Sequence, residues 1–127
     1  MARSPLKQAE AKLRDYALRF PEATEEFPWD ERVVKVRGKI FVFLGEVEGL
    51  LRVAVKLPTS AEMALTLPFT TPTGYGLGRA GWVTARFGAG DVVPLDLIKE
   101  WIEQSFCAVA PKAVVKALGG APAPRRR

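Results

Sequence analysis

The chain has 127 residues, 48% of them hydrophobic and 26% charged, the composition of one ordinary globular domain and not of a disordered chain. It contains no His and a single Cys, which excludes an internal disulfide, a multi-cysteine zinc site, imidazole metal ligation and catalysis built on a His base. Lys and Arg number 19 against 14 Asp and Glu, a formal charge of +5. Three of the nineteen cations are the terminal Arg125, Arg126 and Arg127; without them sixteen face fourteen, a net +2. The basic pI is thus partly a property of the tail and points only weakly to a nucleic-acid partner.

The segment Met1–Gln8 lacks the apolar stretch of a signal peptide. The run Ile40–Leu44 is far shorter than the roughly 20 residues of a membrane helix. A soluble, cytoplasmic, monomeric protein without membrane contact, metal or cofactor is the expectation.

Residues 4–20 read as an amphipathic helix, with Ser4 as N-cap and Pro5 at the first helical position. Leu6, Ala9, Leu13, Tyr16, Ala17 and Phe20 form its apolar stripe, and Pro21 stops it. Residues 21–31, PEATEEFPWDE, read as an acidic loop, with Phe27 and Trp29 pinning it over the core edge. The period then changes to two. Arg32–Arg37, Lys39–Leu44 and Leu50–Leu57 read as three strands of an antiparallel meander, turning at Gly38 and between Gly45 and Gly49. Thr59 and Glu62 fit a capping box that opens a short helix to Leu65. Residues 69–81, FTTPTGYGLGRAG, read as irregular, followed by a fourth strand at Trp82–Phe87 and a short extended piece at Val92–Val93. A helix opens near Pro94–Asp96, and a shorter one spans Pro111–Leu118, capped by Gly119 and Gly120. The domain is read as residues 1–118, with residues 119–127 a disordered basic tail. This order suggests an α+β fold, its N- and C-terminal helices packed on one face of a single antiparallel sheet.

The stretches PEATEEFPWDERVVKVRGKIFVFL, GLLRVAVKL, GYGLGRAGWVTARF and VPLDLIKEWIEQSFCAVAPK together resemble the MmcQ/YjbR family. The resemblance covers roughly residues 10–118 and includes the V-x-K-V-x-G-K-x-F strand pair and the Gly-Trp strand start. It implies a frataxin-like (CyaY-like) α+β sandwich. It also implies DNA binding through a double-wing arrangement, with no catalytic residues.

Strand alternation supplies the candidate site. If Val34, Val36, Val53, Val55, Val83 and Ala85 face the helices, the opposite face collects Lys35, Arg37, Arg52, Lys56 and Arg86, with Trp82 and Thr84. Cations on such a face neutralise phosphates, and Trp82 offers a ring for an unpaired base. An exposed sheet face also needs polar residues for solubility alone. Arg79 and Tyr75 lie in the Gly-rich loop beside this face. GYGLGRAG is only superficially a phosphate loop, because it precedes a strand instead of opening a helix. The acids between Glu22 and Glu31 show no metal-ligand spacing, and Cys107 reads as a small buried hydrophobe. The expectation is a small non-enzymatic DNA-binding protein. The alternative is a protein-interaction module whose partner meets the open sheet face, the acidic loop or an exposed patch of Phe27, Trp29 and Tyr75.

Overall fold

In the computed structural model, which describes residues 4–28 and 31–118, the Ser4 hydroxyl accepts a hydrogen bond from the Lys7 backbone N–H at 3.2 Å and opens α1, Pro5–Ala17. Its buried positions, Leu6, Ala9, Leu13 and Ala17, follow the expected stripe, and Glu10 is buried among them. The helix ends three residues sooner than the sequence suggests, and the chain turns through Leu18 and Arg19 to the buried Phe20.

The acidic segment is not a loop throughout. Ala23–Glu26 forms β1, paired antiparallel with β2, Arg32–Val36, from Ala23 opposite Val36 to Glu26 opposite Val33. An edge strand needs only one paired side, and this one is held by ion pairs where a central strand would bury apolar residues. That is why it lacks the usual alternation. Phe27 does not pin this region to the core: it is 57% exposed, with the Arg32 guanidinium 5.2 Å from its ring centre. Trp29 lies outside the described residues.

The meander continues with β3, Lys39–Val47, and β4, Leu50–Lys56. Its two turns are Arg37–Gly38 and Glu48–Gly49, and all four residues have positive φ. Paired left-handed residues match the right-handed twist of the flanking strands. Gly45 is therefore inside β3, not in the turn. The β2–β3 register shifts between Val34, opposite Val42, and Lys35, opposite Ile40. Phe41 is the extra residue. The bulge lets Phe41 and Val42, adjacent in sequence, both enter the main core.

α2, Ala61–Ala64, begins after Ser60 without a side-chain cap, so the Thr59–Glu62 capping box does not form. The Ser60 hydroxyl instead donates to Gln104 Oε1 at 2.6 Å. Thr70–Pro72, read from sequence as irregular, is a short strand, β5. A 3-10 turn at Leu77–Ala80 leads to β6, Trp82–Phe87. Val92 and Val93 form no strand. α3, Leu95–Val109, and α4, Lys112–Ala117, complete the described chain. The Gly119–Gly120 cap and the basic tail fall outside the described residues.

The result is an α+β fold with one six-stranded antiparallel sheet ordered β1-β2-β3-β4-β6-β5. Buried residues of all four helices, including Leu13, Ala64, Phe106 and Val114, join one cluster with Val34, Val36, Val53, Val55, Val83 and Ala85. The helices therefore share one side of the sheet. Phe20, Phe41 and Phe106 meet at its centre with ring centres 4.8 to 6.1 Å apart, in edge and tilted geometries that favour aromatic packing. No helix among the described residues is long and apolar enough to cross a membrane.

Candidate nucleic-acid interface

The other side of the sheet is built from the alternate residues. One row crosses all six strands in register: Glu26, Val33, Phe43, Ala54, Thr84 and Thr71. Val33, Ala54 and Thr84 are buried although they stand outside the helix-side cluster. Phe43 packs against Trp82 on this face, and the Thr84 hydroxyl is bonded to that of Thr73 at 2.8 Å. On one flank of this row, Arg52 and Arg86 face each other across β4 and β6. On the other flank Lys56 is opposite Trp82. Arg52 and Lys56 are four residues apart on one strand, about 13 Å. A nearly uncharged strip thus runs between cations.

The expected assembly of Lys35, Arg52, Lys56, Arg86, Trp82 and Thr84 on one face is therefore present. Arg37 is not part of it. It occupies the β2–β3 turn at φ 51°, exposed and paired with Glu22 through Nε and Nη2. Because Gly38 must close a two-residue turn, Arg37 adopts a turn conformation where a strand residue would continue the alternation. Arg79 lies in the 3-10 turn that precedes β6, close to Pro58 and Glu62 in an adjoining cleft.

Two of the face cations are occupied. Lys35 Nζ is 3.0 Å from Glu26 Oε1, and Arg52 Nη1 bonds Glu31 Oε2. Lys56, Arg79 and Arg86 have no carboxylate partner among the described residues. Arg86 donates to the Thr71 hydroxyl at 2.8 Å. Four cations against Glu26 and Glu31 leave the face at net +2. Trp82 is only 8% exposed, its ring edge-on to Phe43 with centres 5.5 Å apart. It is a floor of the face and not a free stacking platform. Tyr75, at φ 59° in the β5–β6 loop, is fully exposed.

Sequence reasoning missed what the acidic segment does. Glu22 holds Arg37, Glu25 holds Arg14 and Arg32, Glu26 holds Lys35 and Glu31 holds Arg52. The Arg14 hydrogen bonds, with Arg32 adding to them, hold the Glu25 carboxyl below the ordinary carboxylate value, and the Arg37 hydrogen bond does the same to Glu22. Each of these acids is committed to a cation. Among the described residues no group of three or more Cys, Asp and Glu is placed to hold a metal ion. Cys107 is half-buried, and burial, with Glu103 nearby, pushes its thiol up, which favours the protonated and unreactive form. Phe27 and Tyr75 follow β1 and β5, the two opposite edges of the sheet, so they do not form a common patch.

The sequence profile of the YjbR family matches residues 18–108, most of the chain. None of the curated proteins compared matches. A similar solved structure is that of Deinococcus radiodurans protein DR2400, which carries the family domain DUF419. The two share 26% identity over 91% of each chain with a TM-score of 0.68. With a family profile spanning most of its length and a family fold along nine-tenths of it, the chain belongs to the MmcQ/YjbR family.

Proposed function

We propose that the protein is a non-enzymatic DNA-binding domain that lays its open sheet face on the phosphate backbone. The frataxin-like comparison and the double-wing arrangement implied by the family resemblance belong to the same reading. The observation that carries it is the facing pair Arg52 and Arg86. Arg52 is held by Glu31 and Arg86 by the Thr71 hydroxyl, so a phosphate laid across the pair replaces one carboxylate and meets one guanidinium that no described carboxylate holds. Lys56, Arg79 and Arg86 offer charge that no described carboxylate consumes. Lys35 and Arg52 can exchange Glu26 and Glu31 for phosphate, and displaced counterions supply the driving force. With Trp82 nearly covered, contact is to backbone more than to bases, so sequence preference is expected to be weak.

Fluorescence anisotropy on single- and double-stranded DNA at several salt concentrations tests this reading. The full chain is compared with a version ending at Leu118 and with the double variant Lys56→Glu, Arg86→Glu. Binding that survives removal of the tail, falls steeply with salt and is lost in the double variant is the expected result. Binding confined to the full-length chain would assign it to the terminal arginines. An absence of binding would turn the search to a protein partner.

A further inference from the structure

A second recessed site lies on the helix side of the sheet, away from the DNA face and independent of it. It is a cleft of about 450 Å³ between α1 and the β1–β2 edge, lined by Lys7, Glu10, Arg14, Glu25, Phe27 and Arg32, within the size range of small-molecule sites. Its charges alternate. Glu10 Oε2 takes Arg32 Nη1, Arg32 Nε reaches Glu25, and Glu25 receives both Arg14 Nε at 2.9 Å and Nη2 at 3.1 Å.

One valence in this chain is open. Glu10 is 8% exposed, and its Oε1 is buried without a hydrogen-bond partner among the described residues. Lys7 Nζ stands 3.7 Å from it and is drawn to Glu46 at 3.0 Å. A buried carboxylate oxygen left without a donor is costly, and native interiors rarely leave one so. The guanidiniums of the cleft are already matched by carboxylates, so Glu10 Oε1 calls for an incoming N–H donor. Lys7 keeps half of its side chain exposed beside that oxygen and can meet an anionic group. Phe27, more than half exposed, has Arg32 near its ring and leaves apolar surface uncovered at the rim.

We propose that this cleft binds a small zwitterion of the α-amino-acid class. The ammonium donates to Glu10 Oε1, the carboxylate meets Lys7, and an apolar side chain covers Phe27. The cleft is close to charge-balanced once Glu46 is counted with Lys7, which suits a ligand carrying both signs over a simple anion or cation. Phenylalanine is the natural first probe because its ring matches Phe27.

Isothermal titration of the full chain with L-phenylalanine, its N-trimethyl betaine and its carboxamide tests the assignment. The betaine keeps the charge but has no N–H; the amide lacks the carboxylate. Phenylalanine should bind, and each analogue should bind about tenfold or more weakly, the value of one charge-assisted hydrogen bond. Glu10→Gln should weaken binding, but it also loosens Arg32. The surface variants Phe27→Ala and Lys7→Ala therefore give the cleaner reading, and both should weaken binding with the fold intact. No binding at millimolar phenylalanine would overturn the proposal. So would equal binding of either analogue, indifference to both surface variants, or a crystal soaked in phenylalanine that shows only a water on Glu10 Oε1.

Discussion

Ser105 sits on the apolar face of α3, where the sequence pattern treats it as one more core position. It is completely buried and joins two strands: its hydroxyl accepts from the Lys56 backbone N–H at 2.9 Å and donates to the Phe41 carbonyl at 2.5 Å. The β3–β4 ladder begins at Val42 and Val55, and this hydroxyl bridges the backbone groups of Phe41 and Lys56 just beyond it. Ser105→Ala strands a donor and an acceptor together, so urea unfolding should show a loss of about 2–4 kcal/mol, against less than about 1 kcal/mol for an ordinary surface Ser. Glu25 makes a different prediction. Its folded pKa lies below the ordinary 4.5, so its contribution is present above pH 4.5 and fades as the pH falls below that value. Glu25→Gln should lower stability at pH 7 and narrow its gap to the parent as the medium is acidified, as read by thermal melts across pH 2–7. At this scale the sequence was partly legible. Alternation placed Lys35, Arg52, Lys56 and Arg86 on one face correctly. It could not show that Glu26 and Glu31 would hold two of them, because Glu26 meets Lys35 only when β1 pairs with β2, and Glu31 meets Arg52 only when β2, β3 and β4 assemble.

Among the elements, the strands with apolar alternation were readable and those without it were not. β1 is polar and β5 is three residues ending in Pro72, so neither carries a period-two signal. The Thr59–Glu62 motif misled for a related reason: Ser60 finds Gln104 on α3, a contact 44 residues away, and tertiary pairing overrides the local cap. Junctions carry their own constraint. Gly49 and Gly81 both have positive φ, but a Cβ at Gly49 meets nothing within 4 Å, while one at Gly81 would stand 2.9 Å from Pro58 Cα. Gly49→Ala should cost about 1 kcal/mol from backbone conformation alone. Gly81→Ala should cost at least about 1 kcal/mol more, since β6 and the chain after β4 must separate. Paired denaturation curves check the difference, and equal losses would show that the Pro58 contact yields freely.

Across the whole molecule, stability should be graded from the middle of the sheet outward. β2, β3, β4 and β6 are paired on both sides, whereas β1 and β5 each have one neighbour. Hydrogen exchange should therefore find the slowest amides in β3 and β4 and the fastest strand amides in β1 and β5. Uniform protection through β1 would mean that its ion pairs bind it into the global unfolding unit. The α+β class and the one-sided placement of the helices were legible because core-facing apolar positions alternate along β2, β4 and β6.

The two sides of this sheet also differ in what change they can absorb. Toward the helices, Phe20, Phe41 and Phe106 interlock, and a new side chain there must match volume and shape. On the outer side no described element rests on Arg52, Lys56 or Arg86, so these positions can exchange charge, size or polarity while the core stays as it is. Such an architecture separates inheritance of the scaffold from inheritance of the ligand. Lineages that share the scaffold are free to acquire different partners by rewriting a few outward-facing residues.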